Sequence, residues 1–522
     1  MAKFDVLTEP WIPLVGKGET NHSAGILETL KNAHEYQEIR GETPMETAAV
    51  LRLLIAFAMD ACQFKDIRAR RELYRAGRFD GQVLDDYVRS CLEEGVSFDL
   101  FDEKRPFMQS PYDSQYDKAT KPIAVIALTL PSGGNHVHFD HRWETEHVFT
   151  PAECLPKLLA ANLFAVAAAQ GYPSSVNGAP CCYIFCNGRS FFHTIVLNMV
   201  SAREIPRWEY GFPAWRNKNL FVEPKGIRAK IDVLEAFTWM PRRITLVPPE
   251  EQNNVREVYW QQGVRLYSDS NLYNVWRDPH VAFKRNKKKE YYSLKPQIDR
   301  AFWRDLGTVA VSLDDEAGVA PSVLRQVEEI TEVEETNIVD LLMYGLITNQ
   351  AQYVDWIEDR LRVPIRILKV PELGGYLRKD VDRIEKAASI VYDAVYYMTP
   401  KKEEKGRQKK GNQKKDEFAR QARAKFFDEI HTYLFEKGYL EKLSQVDTSK
   451  VDWSRDFLGD LRARIENVAS PILKEAVSAL GLSSRSMETS MKALKIAHSR
   501  LNRLMGLRLN EQTKEGKEAK ND

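Results

Sequence analysis

The sequence predicts an α+β protein, with a mixed domain over residues 1–370 followed by an antiparallel four-helix bundle over residues 376–510. Two observations predict it. β-Prone runs and apolar helical runs are interspersed over the first two thirds of the chain. From about Leu377, long amphipathic patterns follow. Because 43% of the 522 residues are hydrophobic, the chain can bury substantial cores, which excludes a protein that is disordered overall.

Two buried helices of the mixed domain are predicted from the same start signal. Residues 43–46 (TPME) and 150–153 (TPAE) each place Thr at the N-cap, Pro at the first helical position and Glu at the third, where it can turn back onto the cap. We expect the first helix to run to residue 61. The second should run to residue 170 and stop at Gly171.

Strands are predicted between and after these helices. Residues 181–186 (CCYIFC), the pair at 187–188 (Asn-Gly) and residues 189–200 (RSFFHTIVLNMV) together predict a β-hairpin, because Asn-Gly between β-prone runs favours the tight turn. Residues 243–247 (RITLV) and 255–260 (VREVYW) are further strand candidates. The first domain is therefore expected to be mixed.

The bundle helices are predicted over residues 378–398, 416–438, 453–481 and 483–507. Pro471 should kink the third helix or split it after Ser470. The fourth helix carries an apolar stripe at helical spacing, formed by Met487, Met491, Leu494, Leu501 and Leu504. Residues 401–415 hold eight basic and two acidic residues, which predicts a disordered basic loop. Residues 511–522 are predicted to be a disordered tail.

Charge and cysteine content restrict the function classes. A net charge of +1 gives no global attraction to a polyanion. Six cysteines without a Cys-x-x-Cys pair indicate neither a disulfide framework nor a zinc site of the usual spacing. The apolar stretches at 48–61 and 155–169 are interrupted by Arg52, Lys157 and Asn162, so neither is expected to span a bilayer. We therefore expect a cytoplasmic protein.

One histidine pattern suggests metal chemistry. H-x-H-x-D-H at residues 136–141 resembles the motif of metallo-β-lactamase-type hydrolases, in which such residues bind one or two zinc ions. The candidate ligands are His136, His138, Asp140 and His141. That fold needs further histidines in later loops, whereas His193 falls in a predicted strand and His431 and His498 in bundle helices. A polar loop tip is the other interpretation, and we expect neither metal nor cofactor.

Local basic clusters indicate nucleic-acid binding. Besides the loop at 401–415 there is KRNKKK at 284–289. The fourth bundle helix carries basic residues away from its apolar stripe, namely Lys492, Lys495, Arg500, Arg503 and Arg508. Neutralising about six phosphates would give a log–log salt slope near −5. Cys181, Cys182 and Cys186 are interpreted as small buried hydrophobic residues rather than as a metal cluster.

Four segments resemble the CasA family, the large subunit of type I-E CRISPR Cascade complexes. They are FDVLTEPWIPLV at 4–15, ETPMETAAVLRLLIAFAMDA at 42–61, FDEKRPFMQ at 101–109 and LLMYGLITNQAQY at 341–353. The resemblance implies a non-catalytic subunit that recognises the protospacer-adjacent motif in double-stranded DNA, largely from the minor groove. It also implies assembly with a guide-RNA ribonucleoprotein of other Cascade subunits and recruitment of a helicase–nuclease in trans. A general RNA-binding or scaffold subunit is the remaining rival.

The resemblance also implies site residues for DNA. Asn349, Gln350 and Ala351 match a hairpin wedge that opens the duplex, with Gln350 at its tip. A glycine-rich loop would fall at residues 171–180 and includes Asn177 and Gly178. Arg265 is the nearest candidate for a basic finger.

Two further contacts are implied. The loop at 129–143, with Asn135 and with Phe139 as its apolar anchor, would meet the 5′ handle of the guide RNA and an adjacent subunit. Lys492, Lys495 and Arg503 of the bundle would hold displaced strand or heteroduplex backbone.

Overall fold

The structure is a computed structural model that describes most of the chain, in two units. The described residues are 2–18, 20–64, 66–130, 147–167, 171–178, 180–201, 209–217, 227–249, 254–266, 276–310, 318–331, 338–349, 352–399, 408–450, 453–479 and 484–504. The first unit comprises Met1–Phe302 and Leu313–Arg362. The second comprises Trp303–Ser312 and Val363–Asp522. Helix and sheet are mixed, as the sequence predicts.

The first unit holds the strands of the described residues. They are β1 (Ile12–Gly16), β2 (Asn21–Ala24), β3 (Tyr36–Ile39), β4 (Lys121–Pro122), β5 (Cys182–Asn187), β6 (Ile227–Arg228), β7 (Arg242–Leu246), β8 (Glu257–Gln262), β9 (Arg265–Leu266), β10 (Phe283–Arg285), β11 (Tyr291–Ser293), β12 (Gly318–Val319), β13 (Ile338–Asn349) and β14 (Gln352–Pro364). β14 extends two residues past the unit boundary. The three-stranded sheets have the orders β2-β1-β3, β4-β8-β7, β11-β10-β12 and β14-β13-β5, and β6 pairs with β9.

Helices occur in both units. The first unit contains α1 (Ile26–Lys31), α2 (Pro44–Cys62), α3 (Ile67–Ala76), α4 (Gly81–Glu93), α5 (Pro151–Leu163), α6 (Phe191–Asn198), α7 (Val233–Phe237) and α9 (Val323–Thr331). The second contains α8 (Leu306–Val309), α10 (Ile365–Lys369), α11 (Pro371–Met398), α12 (Gln408–Phe435), α13 (Tyr439–Ser444), α14 (Trp453–Ala479) and α15 (Ser484–Leu504). No single helix of these is both long and apolar enough to cross a membrane, although α2 and α3 together pass that test as a bent pair.

Both predicted helix starts are confirmed. Thr43 caps α2 by accepting from the Glu46 N–H (3.2 Å), with Pro at the first position. Thr150 and Glu153 form a complete capping box at α5, in which each side chain bonds the other residue's backbone N–H. Because such caps depend on residues three apart, the sequence alone is sufficient to predict them.

The predicted end of α5 is wrong: the helix ends at Leu163 rather than at residue 170. Tertiary donors take two of the next carbonyls. The Ala165 carbonyl accepts from the Ser175 N–H (2.8 Å), and the Val166 carbonyl accepts from the Arg242 guanidinium (2.6 Å). These bonds satisfy polar groups that a longer helix would have used internally.

Residues 189–200 are not the second strand of a hairpin, because α6 occupies most of this run. β5 pairs antiparallel with β13 instead. Asn198 fastens the helix to the strand, since its side-chain amide bonds the backbone N–H and C=O of Cys186 (2.9 and 2.7 Å). A short apolar run does not distinguish a buried helix from a buried strand by periodicity.

In the second unit, α11 packs against α12, α14 and α15, α12 packs against α14, and α14 against α15. α14 continues through Pro471, so the predicted split after Ser470 does not occur. Pro471 and residue 467, whose carbonyl loses its donor, are both exposed, so that water can satisfy this carbonyl. Residues 408–415 belong to α12 rather than to a loop, since Lys and Gln are good helix formers. Residues 401–407 and 505–522 lie outside the described residues.

The predicted apolar stripe of α15 is only partly buried. Leu501 is buried, but Met487 and Met491 are 43% and 51% exposed. The buried face instead carries Ser490, Ala493, Ala497 and Leu501. Small residues at this spacing let two helix backbones approach closely, which the apolar pattern alone does not reveal.

Candidate nucleic-acid interface

A buried polar network lies beneath the loop at 171–178. Arg52 of α2 donates two hydrogen bonds to the carboxylate of Asp278 (2.5 and 3.0 Å) and one to Nδ1 of His280 (3.1 Å). All three side chains are at most 2% exposed. Burial alone would raise the pKa of Asp278, but the charge and hydrogen bonds of Arg52 hold it below its usual value. The network is therefore an ion pair sealed in the core.

Asn177 belongs to this network and not to an exposed reading surface. Its side-chain amide donates to Asp278 (2.8 Å) and to the Tyr183 hydroxyl (3.1 Å), and the residue is 3% exposed. The interpretation of its side chain as a DNA contact is thus wrong. Its amide satisfies the buried carboxylate of Asp278, and this bond anchors the loop to the core.

The pH dependence of stability should reveal His280. Burial, and then the charge of Arg52, lowers its pKa from 6.5 to about 4. Because the pKa of His280 is lower in the folded than in the unfolded state, only the unfolded chain binds this proton between pH 6.5 and 4. The free energy of unfolding is therefore highest above pH 6.5 and falls by up to about 3 kcal/mol as the pH drops towards 4. His280→Gln keeps one acceptor and one donor, and should flatten urea unfolding free energies across this window.

A residual slope is expected in this variant, because burial likewise lowers the pKa of His193 to about 4. The control is the same titration of the unaltered chain. An unchanged pH profile in His280→Gln would contradict the assignment.

The loop above the network makes a tight turn. The Gly178 N–H donates to the Ser175 carbonyl (3.0 Å), and the Ser175 hydroxyl donates to the Gly178 carbonyl (2.9 Å). Gly171 and Gly178 have φ of 85° and 87°, a conformation that residues with a Cβ rarely adopt. Arg265 of β9 is exposed and donates to the Gly171 carbonyl (3.2 Å). The structure thus brings the predicted loop and the predicted finger candidate together.

Arg242, at the start of β7, connects this loop to its surroundings. Its guanidinium donates to the carbonyls of Val166 (2.6 Å) and Pro173. It also lies over the ring of Tyr172 (5.2 Å) and near that of Trp260 (6.0 Å). These contacts fix the backbone beside Gly171 by several independent bonds.

The strands that flank the predicted wedge are neighbours in the β14-β13-β5 sheet. β13 ends at Asn349, which is exposed, and β14 begins at Gln352. The two are neighbours in one sheet, and strands joined by two residues must run antiparallel. Gln350 and Ala351 lie outside the described residues. Tyr353 is 40% exposed, yet burial around its hydroxyl raises its pKa, and the charge of Arg242 opposes this rise.

The basic residues predicted on the second unit are accessible. Lys492, Lys495 and Arg503 of α15 are exposed. Lys492 bonds Glu488 one turn earlier (2.7 Å), whereas Lys495 and Arg503 have no ion-pair partner within the described part of the chain. Arg500 is engaged by Asp393 of α11 (2.8 Å). Among the described residues, two of these four cations are therefore left without an acidic partner and could meet phosphates.

The KRNKKK run covers the end of β10 and most of the turn that leads to β11. Lys287, Lys288 and Lys289 are exposed at its tip. Asn286 fixes the turn by accepting from the N–H groups of Lys288 (2.8 Å) and Glu290 (3.0 Å). The cluster is thus held on an ordered turn, with its charges facing solvent.

The metal pattern and the docking loop lie outside the described residues. This applies to His136, His138, Asp140 and His141, and also to Asn135 and Phe139. Where the structure does describe the chain, no group of three or more His, Cys, Asp or Glu could hold a metal ion. The metallohydrolase alternative therefore stays a prediction. His193 lies in α6, not in a strand. Cys181, Cys182 and Cys186 are buried and form no disulfide, which confirms their interpretation as core residues.

Sequence reasoning missed four residues that build this site: Arg52, Asp278, His280 and Arg242. Arg52 did give a signal, because a charged residue inside an otherwise apolar helix needs a buried partner. The partner is 226 positions away, and no local pattern identifies it. The two adjacent arginines at the start of β7 gave a weaker signal of the same kind.

Comparison with known proteins places the chain in a family. The family model for the CRISPR-associated protein Cse1 matches residues 5–458. The CRISPR-associated protein CasA/Cse1 of Thermus thermophilus is 27% identical over 408 residues, covering 74% of this chain and 76% of that protein.

Solved structures share the fold. Cse1 from Acidimicrobium ferrooxidans superposes with a TM-score of 0.72 at 22% identity, covering 97% of this chain and 99% of the other. A chain of a CRISPR RNA-guided surveillance complex gives a TM-score of 0.70 at 16% identity, covering 96% and 100%. The chain therefore belongs to the Cse1 family, also called CasA, of large CRISPR Cascade subunits.

Proposed function

We propose that this chain recognises the protospacer-adjacent motif of double-stranded DNA and begins the strand separation that leads to an R-loop. The observation that carries the proposal is that two of the predicted elements lie together beside Arg242. Arg242 bonds the loop at 171–178 at the carbonyl of Pro173, and Arg265 bonds the carbonyl of Gly171. Both elements belong to the first unit but come from distant parts of the sequence.

The chemistry of this surface suits a minor groove. Left-handed glycines allow close backbone approach, and Arg265 supplies one exposed cation. A minor groove distinguishes mainly A·T from G·C, so a reader built from backbone and one cation is permissive. Asn349 and Gln350 would then replace base-pair hydrogen bonds where the strands part, and Ala351 would follow them in the turn.

The remaining assignments extend this role. The chain acts in the cytoplasm without catalysis of its own, assembled with a guide-RNA ribonucleoprotein of other Cascade subunits through Asn135 and Phe139. It recruits a helicase–nuclease that cleaves in trans. The four long helices form an antiparallel bundle, on which Lys492, Lys495 and Arg503 hold nucleic-acid backbone. Their exposure and the two unengaged cations among them support this role.

Binding to targets with an altered flanking motif tests the proposal. We expect the assembled complex to lose about tenfold in affinity per replaced base pair, because a mismatched pair costs about 1–3 kcal/mol. Arg265→Ala should weaken binding to the intact motif, while Arg40→Ala serves as its control, since Arg40 is an exposed arginine paired with Glu38. Affinity that ignores the flanking sequence would favour a general RNA-binding scaffold instead.

A further inference from the structure

Two consecutive arginines of β7 are equally buried but are neutralised differently. Arg243 is 4% exposed and bonds the carboxylate of Asp117 (3.0 Å). Arg242 is 5% exposed and has no carboxylate partner among the residues that the structure describes. Its donors are satisfied by the carbonyls of Val166 and Pro173. One arginine is thus an ion pair, and its neighbour is a buried cation without a counter-charge in the described part of the chain.

Aromatic rings take the place of the missing carboxylate. The Arg242 guanidinium lies 5.2 Å from the ring centre of Tyr172 and 6.0 Å from that of Trp260. The charge of Arg242 also opposes the rise that burial causes in the pKa of Tyr353. Burial lowers the pKa of Arg242 to about 10, so the side chain remains charged at neutral pH.

An arrangement of this kind is costly if it only fills space. Removing a cation from water is unfavourable, and a buried ionic group can often be replaced by hydrophobic residues without loss of stability. Cation–π contacts recover only part of that unfavourable free energy. The charge therefore indicates a role beyond packing, and two roles are available. It fixes segments that meet at the surface, and it adds positive potential beneath that surface.

We propose that Arg242 is the positioning residue of the motif-reading surface. It would hold the loop through Pro173 and Tyr172, so that the loop meets the duplex in a fixed register. Its charge would attract the phosphates of the same duplex without contacting them. This inference rests on the proposed function.

Variants of the two arginines in the assembled complex test it. The measurements are the affinity ratio between intact and altered flanking motifs, the log–log salt slope of binding, and the melting temperature. Arg242→Gln should lower the ratio about tenfold and make the salt slope shallower. Arg242→Lys keeps the charge but not the forked geometry of the guanidinium. It should therefore leave the salt slope unchanged and lower the affinity ratio by less than Arg242→Gln does.

Arg243→Gln is the matched control, since it alters an equally buried arginine of the same strand. It should lower the melting temperature and leave the affinity ratio unchanged. An equal loss of the ratio in both Gln variants would overturn the inference, because the effect would then be one of stability. So would an unchanged ratio in Arg242→Gln.

If Arg242→Gln fails to assemble into the complex, the affinity ratio of Tyr172→Leu tests the inference instead. It removes the ring that faces the guanidinium from a half-buried position in the loop, and we expect a smaller loss of the affinity ratio. No loss would overturn the inference. A failure of the unaltered complex to distinguish the motifs would instead refute the proposed function itself.

Discussion

Arg52→Met should destabilise the first unit by about 3–5 kcal/mol, because it leaves the carboxylate of Asp278 buried without its cation. The remaining donors to that carboxylate are the side-chain amide of Asn177 and the backbone N–H of His280 (2.8 and 3.0 Å). Two neutral donors cannot replace a bidentate guanidinium. Urea unfolding, followed by a probe in the first unit, measures the loss.

The control for this prediction is an exposed ion pair. Arg500 and Asp393 are 2.8 Å apart with side chains 47% and 39% exposed, so Arg500→Met should change stability by less than about 1 kcal/mol. Combining Arg52→Met with Asp278→Leu should recover part of the loss, since it removes the stranded charge. A loss below about 1 kcal/mol for Arg52→Met alone would mean that the network does not hold the core together.

The network also relates stability to function. Asn177 is anchored to Asp278. If the carboxylate of Asp278 loses Arg52 and moves, the loop that carries Asn177 and Gly178 loses its anchor. We therefore expect Arg52→Met to weaken recognition of the flanking motif as well, although Arg52 lies far beneath the surface. Recognition and stability would then fall together, in contrast to the separation expected for Arg242 and Arg243.

Local sequence rules correctly predicted those helices, strands and caps that depend only on residues close together in the chain. The capping residues of α2 and α5, the strands β7 and β8, and the long helices of the second unit depend on neighbours within a few positions. The errors arose where a partner far along the chain decides the structure. The run at 189–200 became a helix against β5, and α5 ended where Ser175 and Arg242 captured its carbonyls.

The candidate site shows the same division. The loop at 171–178 was placed by resemblance, and Arg265, the nearest candidate for the finger, bonds its Gly171 carbonyl, because a family motif carries long-range information that local patterns lack. The buried residues that support this surface could not be paired with one another from local sequence patterns. Arg52 and Asp278 are 226 positions apart, and only the folded chain shows that Asn177 serves their ion pair rather than the groove.

Gln350→Ala should reduce R-loop formation by the assembled complex more on linear targets than on negatively supercoiled ones. Separating the first base-pair step costs a few kcal/mol, and the exchange of DNA pairing for guide pairing is nearly balanced afterwards. Loss of an amide that offsets part of this cost therefore matters most where nothing else opens the duplex. Supercoiling supplies opening energy independently of the protein, so it should restore most of the yield.

The matched control is Gln352→Ala, which removes the same side chain from an exposed position at the start of β14. It should leave both yields unchanged, because only the residue in the turn would reach between the strands. R-loop yields of Gln350→Ala that equal those of the unaltered complex on both targets would remove the wedge role. A loss of equal size on both would point to general DNA affinity, since an effect on opening alone must depend on the torsional state of the target.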